Sequence, residues 1–350
     1  MRGKVRRRRR SAHDIVKPRG AGVSWFRIAC WLYLIGVVAV WILLHFFADK
    51  WWVATVLMFG PRWLAAIPLL WFVPLALVLD RKSLPLLVLA GIVVGGPIMG
   101  LNVSFKRAPQ NTVPDLRLLT YNIGTDEGSV KPLMQDLWRL VRIAKPDVVT
   151  LQECDFSQDE LVPMFPGYSA NSNAGTCFLS RFPIVAVDAR DRADVRAIEG
   201  SGAIDRFEVA TPRGVVSILN LHLSTVRNAL QSVVDKSATA ASQMHYSAAE
   251  RGAESRIARE WAGRAKVPQL IAGDFNIPID SQIFKRYWSD FGDAYSACGT
   301  GYGYSKFTKW FGIRIDHVLF DKHWECLDVS VDTSMIQGDH RPVIAEFRLR

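Results

Sequence analysis

The chain has 350 residues and a formal net charge of +10, which is long enough for a membrane segment plus a complete enzyme. The positive charge is unevenly distributed: residues 1–20 carry +8 and residues 21–110 carry +5, which leaves −3 for residues 111–350. The excess of positive charge therefore lies on the tail and around the apolar stretches, and the slightly acidic C-terminal two thirds of the chain lack the net positive charge of a broad nucleic-acid-binding surface.

Three apolar stretches follow the arginine-rich start of the chain. They run from about Ile28 to Phe47, from Trp63 to Leu79 and from Leu84 to Leu101. About twenty helical residues rise about 30 Å, which matches the apolar core of a bilayer. The pattern predicts a basic tail at 1–24, an all-α transmembrane segment of about three helices at 25–103, and a linker at 104–114.

The arginine run before the first apolar stretch predicts the orientation in an inner or plasma membrane. Positive residues that flank a first span stay in the cytoplasm, so we expect a cytoplasmic N-terminus. Such a run also fits a nucleic-acid or nuclear-localisation patch, but its place directly ahead of an apolar stretch favours a topology signal. Three crossings make a multi-pass protein with an extracytoplasmic C-terminal part, whereas two or four would reverse this.

From Asp115 onward, short β-rich runs alternate with polar helical stretches. The predicted strands cover 116–124, 146–154, 176–187 (a pair broken at 181–183), 214–224, 268–278, 313–320 and 342–350. The predicted helices cover 131–144 and 248–262, while 224–243 fits either a loop or an early helix turn. Strands interrupted by helices indicate a layered α/β or α+β sandwich.

Four cysteines fall in this soluble part: Cys154, Cys177, Cys298 and Cys326. The sequence has no CxxC motif, which argues against a zinc site or a thioredoxin-like site. The four residues fit disulfides if the domain faces an oxidising compartment, and they fit ordinary buried thiols equally well.

Most predicted strands end in a polar residue. The set is Asn122, Glu153, His222, Asp274, Asn276, Asp316, Asp339 and His340. Taken singly, each fits a turn former or a solvated strand end. Together they are placed to converge at one edge of a sandwich, and their oxygen atoms suit Mg²⁺, Mn²⁺ or Ca²⁺ rather than zinc. Hydrolysis of a phosphate ester needs a metal, a group that positions water and help for the leaving group, and the set supplies all three.

Six motifs occur in order in this region: TYNIG, LQE, NLHLS, GDFNIP, RIDHVLF and GDHRPV. In this order they resemble the signature motifs of the endonuclease/exonuclease/phosphatase (DNase I-like) superfamily, here as a membrane-anchored bacterial-type member. The resemblance implies a catalytic domain at 115–350 with an α/β (α+β) fold, a four-layer sandwich of two mixed β-sheets flanked by helices. It also implies a phosphoesterase that uses Mg²⁺, or Mn²⁺ as the alternative.

The resemblance implies roles at the metal and at the attacking water. Glu153 would be the principal metal ligand, with Asn122 beside it and Asp339 assisting. Asp274 would orient or deprotonate the water. Asn276 would hydrogen-bond the phosphoryl oxygens as charge develops on them.

It also implies roles around the scissile phosphate. His340 would contact the phosphate, and Asp316 would hold its ring in the right tautomer. His222 would contact the phosphate and protonate the leaving group. Arg314 is a further candidate substrate contact, with a surface salt bridge as its alternative use.

The expected substrate is a phosphate ester: a lipid headgroup, a small phosphodiester or nucleic acid. The membrane segment and the acidic domain favour the first two, and an extracytoplasmic nuclease is the alternative. A non-catalytic sensor of phosphorylated ligands would predict a degraded metal site, yet every expected polar position is filled. The lipid bilayer is the other expected partner, and no obligate protein partner is evident. An aromatic and basic loop at 298–311 fits stacking on a base or sugar, contact with lipid headgroups, or simple packing.

Overall fold

The computed structural model describes residues 21–104, 112–124, 130–173, 175–189, 200–335 and 337–350. Residues 1–20 of the predicted basic tail and 105–111 of the predicted linker lie outside the described residues. The described chain forms an N-terminal helical segment followed by a layered sandwich of strands and helices.

The N-terminal helical segment (residues 21–98) contains four α-helices and three short turns of 3₁₀ or π type. The helices are Ala21–Phe47, Trp52–Phe59, Ile67–Leu79 and Leu84–Val93, and the turns are Arg62–Ala66, Arg81–Ser83 and Val94–Ile98. Pro68 and Pro85 lie in the first turns of the third and fourth helices, where a missing N–H is tolerated. Gly22–Phe47, Arg62–Leu79 and Arg81–Ile98 are long and apolar enough to cross a membrane, close to the three predicted stretches.

The outer faces of these helices are apolar. Trp25, Leu70, Trp71 and Val78 are all at least 70% exposed in the isolated chain. A contiguous apolar surface of this kind is unusual for a face in water, because large apolar patches generally mark an interaction site. These exposed apolar faces belong to the three helices that are candidate membrane spans by length and composition.

The sandwich contains two six-stranded sheets. The first is ordered β15 (Trp324–Val331), β16 (Val343–Leu349), β2 (Leu116–Asn122), β3 (Val148–Cys154), β5 (Gly175–Ser180), β4 (Ser169–Asn173). The second is ordered β10 (Gly292–Asp293), β14 (Asp316–Phe320), β9 (Gln269–Asp274), β8 (Gly214–His222), β7 (Ala203–Thr211), β6 (Ile184–Ala189). Each sheet is mixed, with one central parallel pair, β2–β3 or β8–β9, among antiparallel neighbours.

Two two-stranded ribbons complete the strands. In the first, β1 (Asn102–Val103) pairs with β11 (Thr300–Gly301), and in the second, β12 (Lys306–Phe307) pairs with β13 (Gly312–Ile313). The predicted break at 181–183 is confirmed, but the two strands that it separates, β5 and β6, belong to different sheets. The chain therefore crosses from one sheet to the other at this break.

Helices cover both outer faces of the sandwich. Val130–Ala144 and Gln158–Met164 pack on the first sheet, and Ala240–Ala262 and Gln282–Trp288 pack on the second. Between the sheets, buried aliphatic side chains surround Phe178 and Phe207, whose rings stack 3.9 Å apart. This is the four-layer arrangement that the sequence resemblance implies.

Within the described residues, two further helices are Arg227–Val234 and Ala294–Cys298. The ambiguous segment at 224–243 contains the first of these, and the helix expected from 248 begins at Ala240. The cysteines are paired as Cys154–Cys177 and Cys298–Cys326, with Cα atoms 5.7 and 6.2 Å apart. Of the two uses left open by the sequence, the structure shows disulfides.

Candidate active site

The carboxyl ends of the two central parallel pairs meet at one edge of the sandwich. They carry Asn122, Glu153, His222 and Asp274. Asn122 links the two sheets, because its side-chain amide donates to Glu153 Oε1 and to Asp274 Oδ2, each at 3.0 Å. His222 Nε2 lies 3.7 Å from Glu153 Oε1 and 4.0 Å from Asp274 Oδ2.

The backbone around Glu153 turns its carboxylate into the pocket. Glu153 has a φ of +51° and lies at an irregularity in the β3–β5 pairing, so its side chain is 47% exposed on an otherwise buried strand. Gly124 leaves the space that this carboxylate needs, since a Cβ there would lie 1.9 Å from Glu153 Oε2. The next residue, Cys154, anchors the bulge to β5 through Cys177.

A buried carboxylate–histidine pair adjoins these strand ends. Asp316 faces Asp274 across the β9–β14 ladder, and its carboxylate binds His340 Nδ1 at 2.9 Å. His340 Nε2 lies 3.6 Å from Asp274 Oδ2. All three side chains are almost completely buried, and each offers one ligand atom within 4.8 Å of the other two.

The close packing of these charges shifts their proton affinities. Burial and the neighbouring carboxylate of Asp316 raise the pKa of Asp274. Burial lowers the pKa of His340, but Asp316 and Asp274 more than offset this and hold it above its usual value. Asp274 is thereby suited to accept a proton, and His340 is suited to carry a positive charge.

The turn after β9 is held by Asn276. Its φ is +50°, its backbone N–H donates to Asp274 Oδ1 at 2.8 Å, and its side-chain amide donates to the Leu223 carbonyl at 2.7 Å. The amide group has two N–H donors, so one remains for a ligand. Asn276 therefore fixes Asp274 and joins the ends of β8 and β9.

Asp339 lies on the His340 side of the pocket. Its carboxylate is 2.8 Å from Lys306 Nζ, 3.1 Å from Arg227 Nη2 and 3.7 Å from His340 Nε2. Burial would raise the pKa of Asp339, but Lys306, His340 and Arg227 lower it on balance. Of the three candidate metal ligands, Glu153 and Asn122 lie together as expected. The third, Asp339, binds the cationic side chains of Lys306 and Arg227 instead.

Arg314 lies outside this pocket. It contacts Ser296 at 3.4 Å and Asp293 at 3.9 Å, and its guanidinium lies over the ring of Tyr295. It lines a separate crevice that contains Trp63, beside the N-terminal helical segment. Arg314 therefore lies in an ion pair, but this pair is largely buried and not the surface salt bridge expected from the sequence, since the side chains of Arg314 and Asp293 are 11% and 5% exposed.

Lys306 and Arg227 line the pocket but were not among the site residues chosen from the sequence. Lys306 Nζ approaches His340 Nε2 at 2.7 Å, and the two residues form a β-bridge. The sequence marks an aromatic and basic loop at 298–311, but its spacing does not single out Lys306 from Lys309. Only the bridge to His340, 34 residues away, distinguishes them.

The residues present fit a divalent cation. Glu153 and Asp274 supply carboxylate oxygens on either side of the Asn122 amide, and hard oxygen ligands are what Mg²⁺ and Mn²⁺ prefer. His340 and Asp316 are already hydrogen-bonded to each other. Glu153 is the more accessible carboxylate for a metal.

Comparisons with known proteins agree with this architecture. The sequence profile of the Endonuclease/Exonuclease/phosphatase family matches residues 119–340. No curated protein sequence matches the chain. Among solved structures, humanized TDP2 from D. rerio is 15% identical, with a TM-score of 0.51, and the match covers 67% of this chain and 98% of that one.

A second similar structure is the 3' phosphatase NExo from Neisseria, determined with a product DNA hairpin. It is 19% identical with a TM-score of 0.51, and the match covers 66% of this chain and 99% of that one. At these identities the likeness shows the fold alone. The site residues are therefore argued from their own geometry.

Proposed function

Since the chain belongs to the endonuclease/exonuclease/phosphatase family, we propose that it is a membrane-anchored phosphoesterase that hydrolyses its substrate by attack of water with a divalent metal. The main supporting observation is the convergence of Glu153 and Asn122 with the buried Asp274, Asp316 and His340 at one sheet edge. This arrangement combines oxygen ligands, a base and a phosphate-binding group within one pocket.

In this proposal Glu153 would hold Mg²⁺, with Mn²⁺ as the alternative, and Asn122 would contribute its amide oxygen while its N–H groups orient Glu153 and Asp274. The metal supplies charge neutralisation at the phosphate oxygens. Asp274 orients the attacking water and takes its proton, a role favoured by its raised pKa. Asn276 keeps Asp274 in place through its backbone N–H and offers its second amide N–H to a phosphoryl oxygen.

The opposite wall of the pocket binds the phosphate. Asp316 fixes the His340 ring through Nδ1, so that Nε2 lies 2.7 Å from Lys306 Nζ and 3.6 Å from Asp274 Oδ2, two groups that line the pocket. A phosphate oxygen is a suitable partner for the Lys306 ammonium, and for the His340 ring once its Nε2 is protonated, because charge-assisted hydrogen bonds are stronger than neutral ones. Asp339 orients Lys306. We assign the protonation of the leaving group to His222, which lines the pocket.

The N-terminal helical segment is proposed to anchor the enzyme. Support comes from three apolar stretches of sufficient length and from their exposed aromatic and aliphatic faces. With a cytoplasmic N-terminus, three crossings place the sandwich outside the cytoplasm. The two disulfides support the same side independently of the number of crossings, because disulfides persist in oxidising compartments.

The test uses the full chain in detergent or nanodiscs with Mg²⁺ or Mn²⁺ and bis-p-nitrophenyl phosphate. We expect turnover that EDTA abolishes and that Glu153→Gln reduces sharply, while the exposed control Glu325→Gln retains it. A folded protein that binds Mg²⁺ and hydrolyses nothing would overturn the proposal in favour of a sensor. Turnover that is unaffected by EDTA would overturn the metal requirement.

A further inference from the structure

A second cavity adjoins the proposed catalytic pocket. Its volume is about 430 Å³, and it lies between the end of β8 and the helices Arg227–Val234 and Ala240–Ala262. Its polar lining includes Ser201, Thr225, Asn228, Gln243, Ser247 and Glu250. It shares Ser201, Ser224 and Thr225 with the catalytic pocket, so a molecule could occupy both at once.

The boundary between the two cavities is fixed by a buried carboxylate. Glu254 is fully buried and accepts hydrogen bonds from the backbone N–H groups of Ser201, Gly202 and Ser224, at 2.9, 2.8 and 2.7 Å. Ser224 Oγ lies 2.7 Å from Glu250 Oε1. Gly202 has no room for a side chain, since a Cβ would lie 2.8 Å from the His222 carbonyl oxygen. The boundary is therefore preorganised.

Polar side chains line the cavity on both helices. Asn228 belongs to helix Arg227–Val234, whereas Gln243 and Glu250 belong to helix Ala240–Ala262. A ligand in the cavity therefore meets hydrogen-bonding groups from two sides.

The chemistry of the lining indicates the ligand. Hydroxyl and amide groups both donate and accept, which suits the hydroxyls of a neutral polyol. Glu250 carries the only formal charge among the described lining residues, and it disfavours a second phosphate. A nucleic acid strand would instead need cationic groups along its backbone.

We propose that this cavity binds the polyol or sugar portion of the substrate, the group whose phosphate ester is hydrolysed at Asp274 and His340. The inference rests on the proposed phosphoesterase function and names its substrate class. The cavity-forming helices also pack through Val226, Ala229 and Met244 against the N-terminal helical segment. A polyol headgroup of a lipid and a free polyol phosphate share the required chemistry.

The experiment compares kcat/KM of the full chain on four substrates in nanodiscs with Mg²⁺: myo-inositol 1-phosphate, phosphatidylglycerol vesicles, plasmid DNA and bis-p-nitrophenyl phosphate. We expect at least one polyol ester to exceed both DNA and the nitrophenyl ester. The soluble and vesicle substrates distinguish a free polyol phosphate from a lipid headgroup.

The variants are Gln243→Leu and Asn228→Leu, with Gln231→Leu as the matched control on an exposed position of helix Arg227–Val234. Loss of one ligand hydrogen bond should lower the ratio of polyol to nitrophenyl kcat/KM about tenfold in each cavity variant, and not in the control. An unchanged ratio, or a preference for DNA, would overturn the inference while leaving the phosphoesterase intact. Absence of turnover on all four substrates would instead count against the proposed function.

Discussion

The protein contains two buried charged clusters on opposite sides of the turn after β9. The front cluster, Asp274, Asp316 and His340, opens on the catalytic pocket through Lys306. The rear cluster consists of Asp49, which follows the first N-terminal helix, and Arg251, on helix Ala240–Ala262. One turn thus separates a cluster proposed for chemistry from a cluster that joins two parts of the chain.

The rear cluster connects the helical segment to the active-site turn. Arg251 is fully buried, donates to the Asn276 carbonyl at 3.4 Å, and places its guanidinium over the ring of Phe59. Asp49 lies 3.8 Å from Arg251 and accepts from the Gln282 N–H at 3.0 Å. The turn that holds Asp274 is therefore supported from behind by residues of the helical segment.

The two clusters differ in how completely their charges are matched. In the front cluster, each carboxylate or ring nitrogen has close partners. In the rear cluster, Asp49 Oδ1 and Arg251 Nη2 have no hydrogen-bond partner among the described residues, and burial lowers the pKa of Arg251. The matched charges of the front cluster suit the proton transfer proposed for Asp274. The rear cluster instead joins the N-terminal helical segment to the sandwich.

The largest effect should come from breaking the front cluster. Asp274→Asn keeps the shape but removes the proposed base, so we expect turnover of bis-p-nitrophenyl phosphate to fall roughly 10³-fold. The melting temperature should not fall, because the substitution also removes a buried charge facing Asp316. The exposed control is Asp328→Asn, and comparable activity in the two variants would contradict the assignment.

Breaking the rear cluster should affect stability first. Arg251→Met leaves Asp49 buried without its partner, so we expect a loss of about 3–5 kcal/mol in unfolding free energy. The matched control is Arg256→Met on the same helix, whose exposed pair with Glu260 should contribute only about 0.5 kcal/mol. Equal denaturant midpoints for the two variants would show that the helical segment is not joined to the sandwich in this way.

One disulfide lies beside the catalytic pocket, because Cys154 directly follows Glu153, which lines that pocket. Titration of the denatured, unreduced protein should find one free thiol, Cys30, out of five cysteines. The double change Cys154→Ala with Cys177→Ala should cost about 2–4 kcal/mol of stability. Five titratable thiols in the protein isolated from its membrane would count against an extracytoplasmic sandwich.

A smaller, pH-dependent effect is expected at Asp293. Burial raises its pKa, but Arg314 and His317 more than offset this and hold the pKa well below its usual value. Its stabilising contribution is therefore complete above the unfolded pKa, about 3.9, and is lost as the pH falls through the lower folded value. The difference in melting temperature between wild type and Asp293→Asn should shrink from pH 6 to pH 3, whereas a constant difference would contradict this.

The sequence predicted the fold and the strand ends well, because both depend on local patterns. Alternation of β-rich runs located the strands that carry Asn122 and Asp274, and the ordered motifs placed Asp316 and His340 together. The proximity of those two pairs is now visible as 3.0 and 2.9 Å contacts. Their individual roles remain predictions.

Other features depend on contacts between distant parts of the chain. The placement of β5 and β6 in different sheets is not encoded in the three residues between them. Asp49 and Arg251 are 202 positions apart in the sequence, and neither belongs to a motif. Helix Ala240–Ala262 begins earlier than predicted because its first turns pack through Met244 against the N-terminal helical segment.

The ribbon of β1 and β11 joins the end of the N-terminal helical segment directly to the sandwich. The last candidate span ends at Ile98, and Asn102, four residues later, already pairs with Gly301 of the sandwich. In the proposed anchored state, such a short connection would keep the catalytic pocket close to the membrane surface. An enzyme on a long flexible linker would reach a much larger volume. A substrate in the bilayer would then meet the enzyme by diffusion in the plane of the membrane. A soluble substrate would have to approach the membrane before it could be hydrolysed.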